Sequence, residues 1–186
     1  MLMLRNAFII DYIAEYVKDG GCTSGMISSY DGYTRTLSSQ QSFNIDIYDK
    51  QEDGIFVAGT TSATGEVSAI KFRDYYLRST DYGYKYGYSD GATATYYIDP
   101  ADGYYRSSIN DLTVYAVGMS CAELMLNVYP IYVCSEFDGA ALSDLKTSKS
   151  IYSIYCSGTD IVYNDPSLSI TPYAYYEYTY SARYEN

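Results

Sequence analysis

Histidine is absent from this chain. Its absence removes Ser-His and Cys-His nucleophilic sites, imidazole metal ligation and the commonest general base. A pair of carboxylates could still act as acid and base, as in a glycosidase, but no pair of acids stands out. The chain is therefore expected to lack catalytic residues. Tryptophan is also absent, and aliphatic core formers are modest in number. The twelve Lys and Arg form no basic run, and the formal net charge is -11. Such a surface repels DNA, RNA and anionic lipid, so no nucleic-acid partner is expected. No stretch of about 18 apolar residues occurs, so no membrane span is expected. GYKYGYSDG has glycines but lacks the GK[ST] ending of a phosphate loop.

Two further absences concern the chain's setting. MLMLRNAFIIDYIAEYVKDGG carries Asp11 and Glu15 inside its apolar run, where a secretory signal has an unbroken hydrophobic region. The expectation is a chain made in the cytoplasm, or one given without its leader. Cys22, Cys121, Cys134 and Cys156 match no zinc or redox spacing. They are read as buried free thiols; the alternative is a Cys121–Cys134 or Cys134–Cys156 bridge outside a reducing cell.

What the chain has in abundance is tyrosine, 27 residues in 186. Tyr75 to Tyr105 holds ten tyrosines and four glycines in 31 residues. Tyrosine has an apolar body and a polar tip, so it serves in a core, at a wet interface or on a binding face. Tyr82, Tyr84, Tyr86 and Tyr88 alternate with other residues and share one face of an extended segment.

The first element is expected to be an amphipathic helix. Phe8, Ile9, Tyr12, Ile13, Tyr16 and Val17 form one stripe at helical spacing, and Gly20 and Gly21 end it. The stripe is expected to cover a sheet; the alternative, kept open by Met1, Leu2, Met3 and Leu4, is docking onto a neighbouring subunit. Residues 22–41 read as loop with at most one short strand. SFNIDIY alternates, with Phe43, Ile45 and Ile47 on one face, and GIFVAG returns after DKQEDG as the second strand of a hairpin. TTSATGE reads as loop, VSAIKFRDYYLR as strand, ATATYYI as strand, DPADG as turn and DLTVYAVG as apolar strand.

SCAELMLNVYP is a helix candidate, with Ser120 and Glu123 at capping-box spacing and Pro130 as its stop; the alternative is that LNVYPIYVCSEF forms a strand. DGAALSDLKTSK suits a short helix with Leu142 and Leu145 inward. IYSIYC and DIVY are short strands. PYAYYEYTYSARYEN is read as one long closing strand, with Ala174, Tyr176, Tyr178, Tyr180, Ala182 and Tyr184 on one face and most of its tyrosines in sheet and core. Asp-Gly occurs at Asp19, Asp31, Asp53, Asp90, Asp102 and Asp138. The first suits a helix end, and the other five suggest tight antiparallel connections.

The expected fold is α+β, mainly antiparallel β (a sandwich or an open barrel-like sheet), with an N-terminal amphipathic helix and one or two short helices. Residues 1–186 read as a single domain, with 78–106 as a Tyr/Gly-rich projecting hairpin insertion. The acidic groups Asp46, Asp49, Glu52, Asp53 and Asp90, Asp99, Asp102 are read as solvated turns, since neither matches the twelve-residue calcium loop. No catalytic residue, metal or cofactor is expected.

The expected function is that of a non-enzymatic structural subunit of a larger assembly. A virus or phage particle, at its tail, neck or capsid surface, is the leading setting, which would place the protein in the virion. Its partners would be copies of itself and other assembly proteins. Tyr82, Tyr84, Tyr86, Tyr88, Tyr104 and Tyr105 are the expected contact residues, because Tyr is enriched in interface cores. A helix followed by antiparallel strands and a long terminal strand is similar in layout to small phage tail and connector proteins, with no shared motif. The alternative is an extracellular or cell-surface module binding a glycan through the same tyrosines.

Overall fold

A computed structural model describes residues 2–75, 77, 85–90 and 93–186. The N-terminal helix α1 (Leu2–Asp19) is followed by the hairpin β1 (Met26–Ser28) and β2 (Tyr33–Thr36). A long hairpin, β3 (Ser42–Gln51) and β4 (Gly54–Thr64), leads into β5 (Val67–Arg73). The short pair β6 (Lys85–Gly87) and β7 (Thr93–Thr95) comes next, then β8 (Asp111–Val117). Helices α2 (Cys121–Val133) and α3 (Gly139–Lys149) precede β9 (Tyr152–Ser157) and β10 (Asp160–Tyr163). The chain closes through β11 (Thr171–Pro172), β12 (Ala174–Tyr175), β13 (Tyr178–Thr179) and β14 (Ser181–Tyr184).

A seven-stranded sheet in the order β1-β2-β5-β8-β9-β10-β14 forms the middle layer. Every neighbouring pair in it is antiparallel except β10 and β14, which run parallel. Helices cover one face and the β11-β4-β3 sheet covers the other. The fold is thus α+β, mainly antiparallel β, with an N-terminal helix and two shorter ones.

Both faces of the central strands are buried, which explains the nearly unbroken apolar run of DLTVYAV. On β5 and β8, Ile70, Phe72, Leu112 and Val114 join Leu124, Met125, Val128 and Tyr132 of α2 in the helix-side core. Val67, Ala69 and Tyr115 point the other way, into a second core with Phe43, Ile45 and Ile47 of β3. Period-two alternation in β3 therefore meets a real two-sided environment, buried on one side and exposed on the other. The closeness of β11 to β4 depends on Gly59. A Cβ there would lie 2.7 Å from the Thr171 carbonyl oxygen and 2.9 Å from Ile161 Cδ1.

Several expectations are corrected. Residues 22–41 hold two strands, turned at Asp31-Gly32, with Gly32 at φ 97. TTSATGE is mostly strand, since β4 stays paired with β3 up to Thr64. Pro130 does not stop α2, which continues to Val133. The carbonyl that Pro130 cannot bond belongs to Leu126, an exposed residue. Ser108 pins the last turn instead, donating from its backbone N–H to the Tyr132 carbonyl at 2.7 Å and from its hydroxyl to the Ile131 carbonyl at 2.9 Å.

Asp138-Gly139 is no hairpin turn: the Asp138 carboxylate accepts from the Ala141 N–H at 3.1 Å and caps α3. The closing strand is broken at Tyr176, which has φ 50, so β12 and β13 form a small hairpin of their own. The four cysteines are unbridged; Cys121 is buried, Cys134 and Cys156 are half-buried and Cys22 is exposed just beyond α1, so the expectation of burial holds for Cys121 alone.

Candidate functional site

The most distinctive surface is set up by a carboxylate inside the fold. Asp11 lies midway along α1 and accepts from the backbone N–H groups of Cys121 at 2.8 Å and Ala122 at 2.9 Å, at the start of α2. Ser120 accepts from the Glu123 N–H at 3.0 Å through its hydroxyl and from the Leu124 N–H at 3.0 Å through its carbonyl. Three orphan donors of that helix end, Cys121, Ala122 and Glu123, are thereby satisfied, two of them by a negative charge at the positive end of the helix dipole, and the Leu124 bond is the first within the helix. Arg35 on β2 completes the arrangement, reaching Asp11 at 2.8 Å and Glu15 at 3.2 Å.

These bonds set the rotation of α1 about its axis. With Asp11 turned inward, the buried residues beside it are Ala7, Ile10 and Ala14. Two of the three are alanines, which lets the helix lie close against α2, β1 and β2. Lys18 also falls on this side and pairs with Glu66 at 2.8 Å. The expectation that Phe8, Ile9, Tyr12, Ile13, Tyr16 and Val17 cover the sheet is therefore wrong for all but the half-buried Val17. Phe8, Ile9, Tyr12, Ile13 and Tyr16 are between 38% and 71% exposed. The Tyr12 and Tyr16 rings stack with centroids 6.3 Å apart. A shallow apolar hollow runs between Leu4, Arg5, Phe8, Ile9 and Tyr12. A helix apolar nearly all round needs cover on more than one side, and here the fold covers one.

The tyrosines expected to make contacts are placed as follows. Tyr82 and Tyr84 lie outside the described residues. Tyr86 is on β6, whose backbone pairs with β7 opposite Ala94. Tyr88 is exposed, and Tyr104 and Tyr105 are 68% and 54% exposed. The last two follow the turn Asp99–Gly103, closed by a 2.8 Å bond from the Gly103 N–H to the Asp99 carbonyl, with Gly103 at φ 78. Arg106 holds this turn, bridging Asp99 at 3.4 Å and Asp102, with its guanidinium over the Tyr104 ring.

Tyr97, in the same stretch, is fully buried in the helix-side core, 4.7 Å from the Tyr132 ring and 5.9 Å from Phe72 between centroids. The segment is therefore rooted in the main core as well as exposed. The C-terminal tyrosines also depart from expectation. Tyr173, Tyr175, Tyr176 and Tyr184 are exposed, and Tyr180 alone of that run is buried. Burial on one face needs a continuous strand, and the positive φ at Tyr176 breaks it.

The acidic groups serve the fold. Asp46 is exposed on the outer face of β3, whereas Asp49 is buried and accepts from the Tyr180 hydroxyl at 2.8 Å and from Gln51. Asp53 accepts from the Tyr178 hydroxyl at 3.0 Å. Asp99 is likewise buried rather than solvated, accepting from the Ala101 N–H at 2.9 Å.

Asp111 accepts from the Tyr75 hydroxyl at 2.6 Å. Burial pushes its carboxyl up to about 6, against the Tyr75 hydrogen bond and the charges of Lys71 and Arg73, which pull it down. Burial also pushes the Cys121 thiol up to about 12 and raises Cys156, so neither is poised as a thiolate. Among the described residues no cluster of three acids and cysteines has metal-holding geometry. A polar hollow of about 400 Å³ lies on the outer sheet between Asn44, Asp46, Thr60 and Ser169. Hydroxyls and one exposed carboxylate supply hydrogen bonds there, but no activated nucleophile. No helix among the described residues is long and apolar enough to cross a membrane.

The apolar spacing of α1 alone did not distinguish its outward face from an inward one. The clue was Asp11, a charge placed beside two alanines. No protein-family model matches the chain, and no curated protein matches it in sequence.

Proposed function

We propose that this protein is a non-enzymatic structural subunit of a larger assembly, of the kind that builds a virus or phage particle at its tail, neck or capsid surface. The observation that carries this reading is the outward apolar face of α1, five bulky side chains held in solvent by a half-buried carboxylate on the helix's other side. A contiguous apolar patch of this kind on a soluble protein marks an interaction surface. The exposed tyrosines at 104, 105, 175 and 176 add adhesive area elsewhere on the surface. The acidic charge keeps separate copies soluble until a specific contact forms. To test the reading, particles would be banded from the native source on a density gradient. The chain should be found in them in fixed ratio to a major particle protein; a chain confined to the soluble fraction overturns it.

A glycan-binding role outside the cell is the second reading. It is favoured by the exposed Tyr104 and Tyr105 rings, a stacking surface for sugar rings. On this reading a glycan array gives binding that Tyr104→Ala abolishes. An array with no signal, with or without calcium, removes it.

A further inference from the structure

We infer that the outward face of α1 pairs with the same face of a second copy of this chain, antiparallel across a two-fold axis at Tyr12. This rests on the reading of the chain as an assembly subunit and names one of its contacts.

The argument starts from spacing. Arg5, Phe8, Tyr12, Tyr16 and Asp19 succeed one another at steps of three, four, four and three residues, so they form a single line along the helix. The line is symmetric about Tyr12 in position and complementary in chemistry. Phe8 and Tyr16 lie four residues to either side. Arg5 and Asp19 lie seven residues to either side, about 21 Å apart at 1.5 Å per residue. An isologous contact places residue i of one copy against residue j of the other, and j against i. With the axis at Tyr12, Phe8 meets Tyr16 of the second copy, Tyr12 meets Tyr12, and Arg5 meets Asp19 at both ends.

Both end charges are available for this. Among the described residues, Arg5 is exposed and has only 3.4 Å bonds to its neighbour Asn6, and Asp19 is exposed with no charged partner. Asp11, Glu15 and Lys18, the other charges of α1, are engaged within the fold. The hollow between Leu4, Arg5, Phe8 and Tyr12 has a counterpart past the axis, lined by Tyr16, Val17 and Asp19. Each hollow receives the ridge of the other helix.

Area and charge agree with this occupant. At about 150–250 Å² per fully buried aromatic side chain, the five exposed residues offer roughly 600 Å² per copy. A pair then buries roughly 1,200 Å², the lower edge of stable specific interfaces. A lipid surface fits less well. Helices that lie on membranes carry Lys and Arg along their polar flank, whereas this face has one Arg and one Asp on a chain of charge -11.

Sedimentation equilibrium of the full chain from about 1 to 200 μM tests the inference. The wild type should dimerise. Arg5→Asp and Asp19→Arg should each weaken the dimer about tenfold or more, because each sets like charges opposite one another twice. The double variant Arg5→Asp with Asp19→Arg should restore it to within about threefold, since the pairs re-form with signs exchanged. All three changes are on the exposed surface, and circular dichroism checks that the fold is kept. A wild type that stays monomeric to 200 μM overturns the inference. So does self-association that none of the three variants changes; in that case the chain still assembles, through another surface. Monomeric chain that binds vesicles of phosphatidylcholine and phosphatidylglycerol through Tyr12 also overturns it, in favour of lipid. The presence of the chain in native particles is measured separately, so loss of the two-fold contact and loss of the assembly role are distinguishable.

Discussion

Helix α1 and strand β3 each carry an apolar stripe at the period of their own secondary structure, yet only β3 buries it. Phe43, Ile45 and Ile47 lie in the core beneath the long hairpin, while Phe8, Tyr12 and Tyr16 face solvent. The strand had no competing inward face, because Asn44 and Asp46 on its other side are polar and make no bonds that require burial. The helix had two faces to choose from. One is bulky and apolar; the other is small, with Ala7, Ile10 and Ala14 flanking Asp11. The small face went inward because it lets α1 approach closely and because Asp11 satisfies two backbone donors of α2 and pairs with Arg35. Hydrophobic area is non-directional, whereas a buried helix end must find acceptors at defined points.

Ile45→Ala and Ile13→Ala make the comparison directly, removing the same atoms from a buried and an outward stripe. Ile45→Ala should cost about 2–5 kcal/mol in urea unfolding, as buried large-to-small changes do. Asp11→Ala should cost roughly 2–4 kcal/mol, because it leaves two helix-terminal N–H groups without an acceptor and Arg35 with only the exposed Glu15 as an ion-pair partner among the described residues. A loss comparable to that of an ordinary surface mutation would show that something else sets the rotation of α1.

Ala14→Leu tests the close approach and should cost about 1–3 kcal/mol by overpacking. If Leu is accommodated without loss, the alanine face is not tightly packed. Asp111 gives a pH-dependent contrast within the core. Its folded value near 6 lies above its ordinary value of 3.8, so the native state binds the extra proton between those values. Its contribution is fully present below about pH 4 and is lost as pH rises through about 6. Stability from this group should fall by up to about 1.4 kcal/mol per pH unit in that window. Asp111→Asn should flatten that part of the stability profile; an unchanged profile would show that Asp111 ionises normally. Ile13→Ala, the smallest effect, should stay within about 0.5 kcal/mol in dilute solution.

Local signals were legible wherever one element answered to one environment. The turn and opening pairs of the β3–β4 hairpin, the Val67–Arg73 part of β5, β8 and the Ser120 cap of α2 follow the sequence pattern, because alternation, turn residues and capping spacing act over a few residues, whereas β4 runs longer and β5 shorter than expected. Errors arose where a distant partner supplied what the local pattern lacked. Tyr33–Thr36 shows little hydrophobic alternation, yet it is buried as β2 between its neighbours β1 and β5. Pro130 is tolerated because Ser108 holds the end of α2. Asp138-Gly139 has the dipeptide of a hairpin turn, but its carboxylate found the Ala141 N–H.

The tyrosines divide for the same reason. Tyr97 and Tyr180 are buried and Tyr104 and Tyr176 exposed, although nothing in their immediate surroundings separates them. A side chain with an apolar body and a polar tip accepts either position.

The sequence by itself determined the inventory: one long N-terminal helix, mainly antiparallel strands, no imidazole chemistry, an acidic surface and a large supply of tyrosine. Composition and short-range periodicity suffice for these, since they depend on each residue and its nearest neighbours. The tertiary structure alone decided which face of α1 meets solvent and which tyrosines are core. Those choices rest on bonds between residues far apart in the chain, such as Asp11 with Cys121 and Tyr180 with Asp49, and no local pattern carries that information.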